Sequence, residues 1–227
     1  MSIDVMLLRV FTNAEGKLGN PLGVIDAGTV PESDRQAIAS RLPCSETIFV
    51  DRPEPGSGAA RAQIFTTAVE VPFAGHPVVG AAAWLRHQQT PVRTLQLPVG
   101  LVEVAYEGAS TVVCASADWT PEFVIEQLSS AEEVCNADVD DYSDGYPRYV
   151  WAWIDESAGT IRSRSFAPEL GVDEDEATGA AAIRITDYLS RDLTIIQGLG
   201  STIKTRWRED GWVYIGGLIS YDGVDHY

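Results

Sequence analysis

A histidine stands between a glycine and a proline where an alanine-rich segment begins: residues 71–80 are VPFAGHPVVG, and three alanines follow. The alanine-rich run predicts a helix, which places Gly75 and His76 at its N-terminus. The N–H groups of a first helical turn have no partners within the helix and carry partial positive charge, so they can bind a carboxylate. Glycine at this point lets a ligand approach the backbone closely.

A second glycine-to-alanine junction occurs at Gly179, which follows an acidic segment and precedes alanines 180–182. Phe65 and Gly75 in the first half of the chain resemble Phe166 and Gly179 in the second half in order, although the loop lengths differ. This internal similarity suggests two versions of one unit. If the units pack together, their two helix N-termini face one cleft and form a carboxylate-binding site.

Apolar periodicity and turn residues predict a sheet-rich α+β protein with two lobes, residues 1–113 and 114–227. Strands are expected in the segments 5–12, 22–28, 46–50, 61–67, 94–108, 111–119, 148–155, 160–168, 193–200, 202–209 and 211–220. Helices are expected over 30–42, 76–89 and 120–130, the last capped by Thr120, and within 173–192 after an acidic loop.

Charge excludes two classes of partner. The 227 residues carry a formal net charge of −17, which repels nucleic acid and anionic membrane surfaces. Much of the acid lies between residues 118 and 176, including Glu132, Glu133, Asp138, Asp140, Asp141 and Asp144. This stretch lacks the ligand spacing of a calcium loop, so a solvated acidic face is expected.

Three cysteines, Cys44, Cys114 and Cys135, form no CxxC pair, which disfavours a disulfide framework and a structural zinc site. The N-terminal residues lack the basic region of a secretory signal, and no apolar run approaches the roughly 20 residues of a membrane span. We therefore expect a cytoplasmic protein that has no metal and does not enter a membrane.

Six segments resemble the phenazine-biosynthesis PhzF-like proteins in order and approximate spacing, over nearly the whole chain. They are residues 11–25, 45–50, 64–85, 164–182, 195–198 and 213–217. The resemblance implies the diaminopimelate epimerase-like fold, in which each of two lobes wraps a mixed sheet around a central helix and the active site lies between them. It also implies a homodimer and a cofactor-independent isomerase or epimerase that acts on a small carboxylate-bearing metabolite.

The resemblance also assigns site residues. The family's proton-transferring glutamate corresponds to Glu46, its glycine–histidine pair to Gly75 and His76, and its aspartate to Asp175. Moving a proton between carbons needs a carboxylate that removes and returns it, and donors that hold the intermediate. The expected substrate-binding residues are Gly75, Gly179, Ala180 and Asn20. The family-equivalent glycines are not preceded by cysteines, so a two-cysteine racemase mechanism is disfavoured.

Each of these residues also has an ordinary structural interpretation. Glu46 could be a carboxylate at a strand edge, His76 could cap a helix, and Asp175 could be a solvated surface acid. The chain also departs from the family pattern. Ala180 replaces the usual serine, Glu176 the usual proline, and residues 199–202, LGST, the usual Gly-Arg-Pro-Ser. Either the substrate differs from that of the phenazine enzyme or catalysis is lost. The competing hypothesis is thus a non-catalytic small-molecule-binding protein on the same scaffold.

Overall fold

The computed structural model describes residues 3–142, 145–168 and 171–227 and contains 15 β-strands and four α-helices in those ranges. The strands are β1 Asp4–Thr12, β2 Asn20–Asp26, β3 Glu46–Val50, β4 Ala59–Thr66, β5 Glu70–Val71, β6 Thr94–Leu97, β7 Gly100–Glu107, β8 Ser110–Ser116, β9 Val124–Gln127, β10 Arg148–Asp155, β11 Thr160–Ala167, β12 Val172–Asp175, β13 Leu193–Gln197, β14 Ser201–Trp207 and β15 Trp212–His226. The helices are α1 Arg35–Ala39, α2 Gly75–His87, α3 Ala131–Asn136 and α4 Gly179–Leu189.

The first lobe is a closed ring of strands around α2. Its strand order is β1-β2-β3-β4-β6-β7-β8-β15, and β15 pairs back to β1. Residues 75–85 of α2 are all buried, and the helix contacts β1, β2, β3, β8 and β15. A helix that is apolar on every side must be enclosed, which is why this segment becomes the centre of the lobe.

The second lobe continues from β15 in the order β14-β13-β11-β10-β9, and its helix α4 packs on β14 and β15. The two lobes are similar: each has a mixed sheet against a central helix. Strand β15 joins them, because residues 213–216 pair with β14 whereas residues 218–226 pair with β1. The proposed division between residues 113 and 114 falls within β8, and it stays a prediction.

The helix predicted over 120–130 is wrong. Residues 124–127 form strand β9, which pairs in parallel with β10, and helix α3 begins only after Ser130. Thr120 does not cap a helix; its hydroxyl donates to the carbonyl oxygen of Ala117. The β-branched pair Val124 and Ile125 suits a strand, and pairing with β10 satisfies backbone groups that no local signal anticipates.

Other elements follow the predictions with changed limits. The helix expected over 30–42 contains a 3₁₀ turn and the five-residue α1, and the strand expected over 94–108 is split into β6 and β7. In the acidic stretch Glu132, Glu133, Asp138, Asp140 and Asp141 are exposed, and Asp144 lies outside the described residues. No helix in the described part of the chain has the length and apolar character needed to span a bilayer.

Candidate functional site

The N-termini of α2 and α4 meet backbone to backbone at two glycines. A Cβ atom added to Gly75 would lie 3.0 Å from the Cα of Gly179, and one added to Gly179 would lie 3.1 Å from the nitrogen of His76. The N-cap residues Ala74 and Thr178 make no side-chain capping hydrogen bond. Two positive helix ends therefore lie side by side without an acidic cap.

Glu46 and His76 face each other beside these helix ends. Glu46 begins strand β3 and His76 lies in the first turn of α2. The Oε2 atom of Glu46 is 3.5 Å from Nε2 of His76, and the two side chains are 21% and 6% exposed. Both atoms are buried and have no hydrogen-bond partner among the described residues. Such atoms are rare in folded proteins, and at a cleft they mark groups that a ligand can satisfy.

Asn20 connects the histidine to the second lobe. It is the first residue of β2, and its side-chain Nδ2 donates to Oδ1 of Asp175 at 2.7 Å and to the carbonyl oxygen of Ala177 at 3.1 Å. The same nitrogen is 3.5 Å from Nδ1 of His76. The structure thus brings the predicted residues Glu46, His76, Asn20 and Asp175 together from both lobes, while their roles stay predictions.

Thr178 and Gln197, which were not among the predicted site residues, hold Asp175 in place by hydrogen bonds. Its Oδ2 accepts a hydrogen bond from the hydroxyl of Thr178 at 2.7 Å. Gln197 donates to that hydroxyl and to the main-chain oxygen of Asp175, both at 2.8 Å. Thr178 and Gln197 both lie in segments that carry the family resemblance, and that location was the only sequence feature that could have marked them as site residues.

A buried tyrosine hydroxyl lies beside Gln197. Tyr149 donates to Ser163 at 2.9 Å, and its hydroxyl is 3.4 Å from Oε1 of Gln197. Burial raises the pKa of Tyr149, so its hydroxyl remains protonated and available as a donor. The position of the Asp175 carboxylate therefore depends on a hydrogen-bonded network that extends into the core of the second lobe.

Ala180 and Glu176 border this cluster. Ala180 is half-buried in the first turn of α4. The Glu176 carboxylate turns toward the loop between β13 and β14, where it accepts from the Leu199 N–H at 2.9 Å and from the Ser201 hydroxyl at 2.6 Å. The Glu176 carboxylate is therefore hydrogen-bonded to that loop and not to Asp175.

Cys44, two residues before Glu46, is unsuited to act as a nucleophile. Burial, and then the charge of Glu46, raises the pKa of its thiol to about 11. At neutral pH the thiol is protonated. Within the described ranges no three or more His, Cys, Asp or Glu side chains form a group that could hold a metal ion.

Two grooves on the described surface contain none of the predicted site residues. One, of about 700 Å³, is lined by Trp84, Arg52 and Asp26 near the C-terminal end of α2. The other, of about 360 Å³, is lined by β14, β15 and the start of β13 and includes Lys204 and Arg206. The candidate site is instead a half-buried cluster of side chains from both lobes, and its chemistry distinguishes it.

Comparison with known proteins places this geometry in a family. The family model for phenazine biosynthesis-like proteins (PhzC-PhzF) matches residues 8–117 and 101–206. The trans-2,3-dihydro-3-hydroxyanthranilate isomerase of Pseudomonas fluorescens is 31% identical over 210 residues, which cover 76% of this chain and 75% of that protein. The protein of the same name from Pseudomonas aeruginosa is 30% identical over 217 residues, 79% of this chain and 77% of that one.

Solved structures confirm the predicted fold. A PhzF-family phenazine biosynthesis protein from Enterococcus faecalis superposes with a TM-score of 0.82 at 19% identity and covers 100% of this chain and 99% of its own. A hydroxyproline epimerase from Agrobacterium vitis gives a TM-score of 0.65 at 12% identity, with 99% and 92% covered. The family model matches most of the chain, the two Pseudomonas relatives are isomerases, and the fold agrees. The chain therefore belongs to the phenazine biosynthesis-like protein family and is an isomerase of that type.

Proposed function

We propose that the protein is a cofactor-independent isomerase that moves a proton from one carbon to another of a small carboxylate-bearing metabolite. The observation that carries this proposal is the pair of buried atoms, Oε2 of Glu46 and Nε2 of His76, which face each other without a hydrogen-bond partner among the described residues. A buried acid–base pair with unpaired atoms can form its missing hydrogen bonds with a substrate.

Glu46 would carry the proton. Its carboxylate takes a proton from a substrate carbon and becomes a carboxylic acid, while the electron pair of the broken C–H bond delocalises into the substrate. The acid then returns the proton to a different carbon. The composition of the substrate is unchanged, and Glu46 is a carboxylate again at the end. No other reactant is consumed.

His76 would serve as the neighbouring donor. The Asn20 side chain points its nitrogen at Asp175 and Ala177, because carboxylate and carbonyl oxygens only accept. Both hydrogens of this amino group are used in those two bonds, and its nitrogen, which cannot accept, lies 3.5 Å from Nδ1 of His76. A proton on Nδ1 would have no acceptor there, so we assign the ring proton to Nε2. The Nε2–H group then points toward Glu46, where it can stabilise negative charge on the intermediate.

The helix ends and Asp175 would hold the substrate. A substrate carboxylate at the joined N-termini of α2 and α4 would accept from first-turn N–H groups near Gly75, Gly179 and Ala180. Asp175 would bind an amino or hydroxyl group, because an ionised carboxylate can only accept. Each of its oxygens has one partner already, which leaves acceptor capacity for the substrate.

The reaction can be tested with the substrate for which the Pseudomonas relatives are named, trans-2,3-dihydro-3-hydroxyanthranilate. In deuterated water we expect a shifted double bond and deuterium at one carbon, detected by NMR. Calorimetric binding without isomerisation or exchange would instead favour the competing function, a non-catalytic binder. The absence of both binding and exchange would show that the substrate class is wrong.

Ala180→Ser should improve affinity for a hydroxylated substrate of this class. A serine hydroxyl in the first turn of α4 could pair with a substrate oxygen that the alanine methyl leaves unpaired. One such hydrogen bond is worth about 0.5 to 1.5 kcal/mol. Calorimetry of both proteins with 3-hydroxyanthranilate as the probe measures the gain; equal or weaker binding by the serine variant would contradict this placement.

We also propose that the protein is a homodimer, on the family resemblance, and that it is cytoplasmic, because the spacing of its three cysteines suits reduced thiols. Multi-angle light scattering at micromolar concentration should give twice the chain mass of 24.6 kDa. A mass equal to one chain at this concentration would refute the dimer and leave the site within one chain unaffected.

A further inference from the structure

Glu176 lies next to Asp175 in the chain, yet its carboxylate binds a different set of groups. We propose that Glu176 is a positioning residue that orients His76 through Ser201, Gly19 and Asn20. The proposal rests on the proposed function, in which the Nε2–H group of His76 faces the reacting atoms.

The Glu176 side chain is fixed by three hydrogen bonds to the loop between β13 and β14. The Leu199 N–H donates to both carboxylate oxygens, at 3.1 and 2.9 Å, and the Ser201 hydroxyl donates to Oε1 at 2.6 Å. The side chain packs directly on Gly198, whose φ is +58°; a Cβ there would lie 2.6 Å from the Glu176 carboxyl carbon. Glycine at 198 thus makes room for this carboxylate.

The Ser201 hydroxyl links Glu176 to Gly19 in the first lobe by two hydrogen bonds. Because its single proton goes to Glu176, its oxygen can accept, and it does so from the Gly19 N–H at 2.8 Å. Gly19 has a φ of +82°, and a Cβ there would lie 2.7 Å from the carbonyl oxygen of Val10. The hydroxyl therefore holds a tightly packed backbone position immediately before Asn20.

These contacts close into a ring. Asn20 donates to Asp175, and Asp175 is bonded to Glu176 through the chain, so the path from Glu176 by way of Ser201, Gly19 and Asn20 returns to its start. The ring joins the first and second lobes at the candidate site. Removing Glu176 or Ser201 should loosen Asn20, because the N–H group of the preceding residue, Gly19, then loses a fixed hydrogen-bond acceptor.

Asn20 in turn determines which nitrogen of His76 carries the proton. Its amide nitrogen is 3.5 Å from Nδ1 and cannot accept a hydrogen bond, so a proton on Nδ1 would face a donor group and have no acceptor there. As long as Asn20 is held, the ring keeps its proton on Nε2, 3.5 Å from Glu46. If Asn20 is free to move, both neutral forms of the ring become accessible.

Long-range proton–nitrogen NMR spectra of uniformly ¹⁵N-labelled protein, at mildly alkaline pH and without substrate, test this directly. The signals of His76 are identified by their loss in His76→Asn. In the natural protein we expect one tautomer with the proton on Nε2. In Glu176→Ala we expect loss of that single-tautomer signature, and added formate should restore it by binding the freed Leu199 and Ser201 donors.

Two further variants keep the test decisive. Ser201→Ala should lose the same signature but should not respond to formate, because the hydroxyl link itself is gone. Glu174→Ala removes an equal charge two residues away, from a carboxylate paired with Arg164, and should leave His76 unchanged. The Gly198 carbonyl accepts from Arg162, so the loop keeps an anchor when Glu176 is replaced.

The outcomes separate this proposal from the proposed function. A proton on Nδ1 in the natural protein, or an unchanged spectrum in both Glu176→Ala and Ser201→Ala, would overturn the positioning role. Neither result depends on knowing the substrate. Where turnover is measurable, Glu176→Ala should lower kcat about 10- to 100-fold, because the catalytic groups are displaced, with little change in KM.

Discussion

Glu46→Gln is expected to lower kcat by about 10²- to 10⁴-fold, the usual contribution of a general acid–base group. Glutamine keeps the shape of the side chain and can fill the same half-buried place at the start of β3. It cannot take a proton from carbon. Substrate affinity should change little, because the helix ends and Asp175 are untouched.

Deuterium incorporation followed by NMR measures the rate, and calorimetry measures binding to the same variant. Glu122→Gln is a matched control, because Glu122 is an exposed glutamate outside the cluster and loses the same charge. Turnover of Glu46→Gln at the natural rate would rule out Glu46 as the proton carrier. A combined loss of binding and turnover would mean that Glu46 mainly holds the substrate.

Gly75→Ala is expected to lower the free energy of unfolding by about 1 to 3 kcal/mol, as overpacking of a close-packed contact does. The added methyl carbon would lie 3.0 Å from the Cα and 3.1 Å from the carbonyl carbon of Gly179. These are backbone atoms at the start of α4, which cannot rotate away as a flexible side chain could. The two helix ends must separate, so catalysis should fall as well.

Urea denaturation of the natural and variant proteins gives the change in unfolding free energy. Gly28→Ala is the control, since a methyl there would meet its nearest atom, on Asp26, at 3.4 Å and the residue is exposed. Gly179→Ala should behave like Gly75→Ala, because the contact is reciprocal. If Gly75→Ala is as stable and active as the natural protein, the helix ends do not need this close approach.

Local patterns were sufficient for most elements. The alanine-rich run after Gly75 predicted α2 within two residues at either end, and the short apolar runs with β-branched and aromatic residues predicted β3 and β10. Such patterns work because helix and strand periods are properties of neighbouring residues. The segment 120–130 failed for the same reason: its strand is stabilised by β10, which no neighbouring residue reveals.

The candidate site was predicted from the sequence as a set of residues and not as an arrangement. Glu46, His76 and Asp175 were assigned by resemblance to a family, and nothing in their spacing places them together. Their meeting depends on the two lobes packing through Gly75 and Gly179. Contacts between residues this distant in sequence arise only when the whole chain folds.

The sequence by itself determined the family, the sheet-rich two-lobed fold and the residues proposed for acid–base chemistry, Glu46 and His76. The tertiary structure alone decided the hydrogen bonds around them. It oriented Asn20 between His76 and Asp175, recruited Gln197, and turned Glu176 toward Ser201. Hydrogen bonds depend on distance and direction between atoms, which residue order does not specify until the backbone is in place.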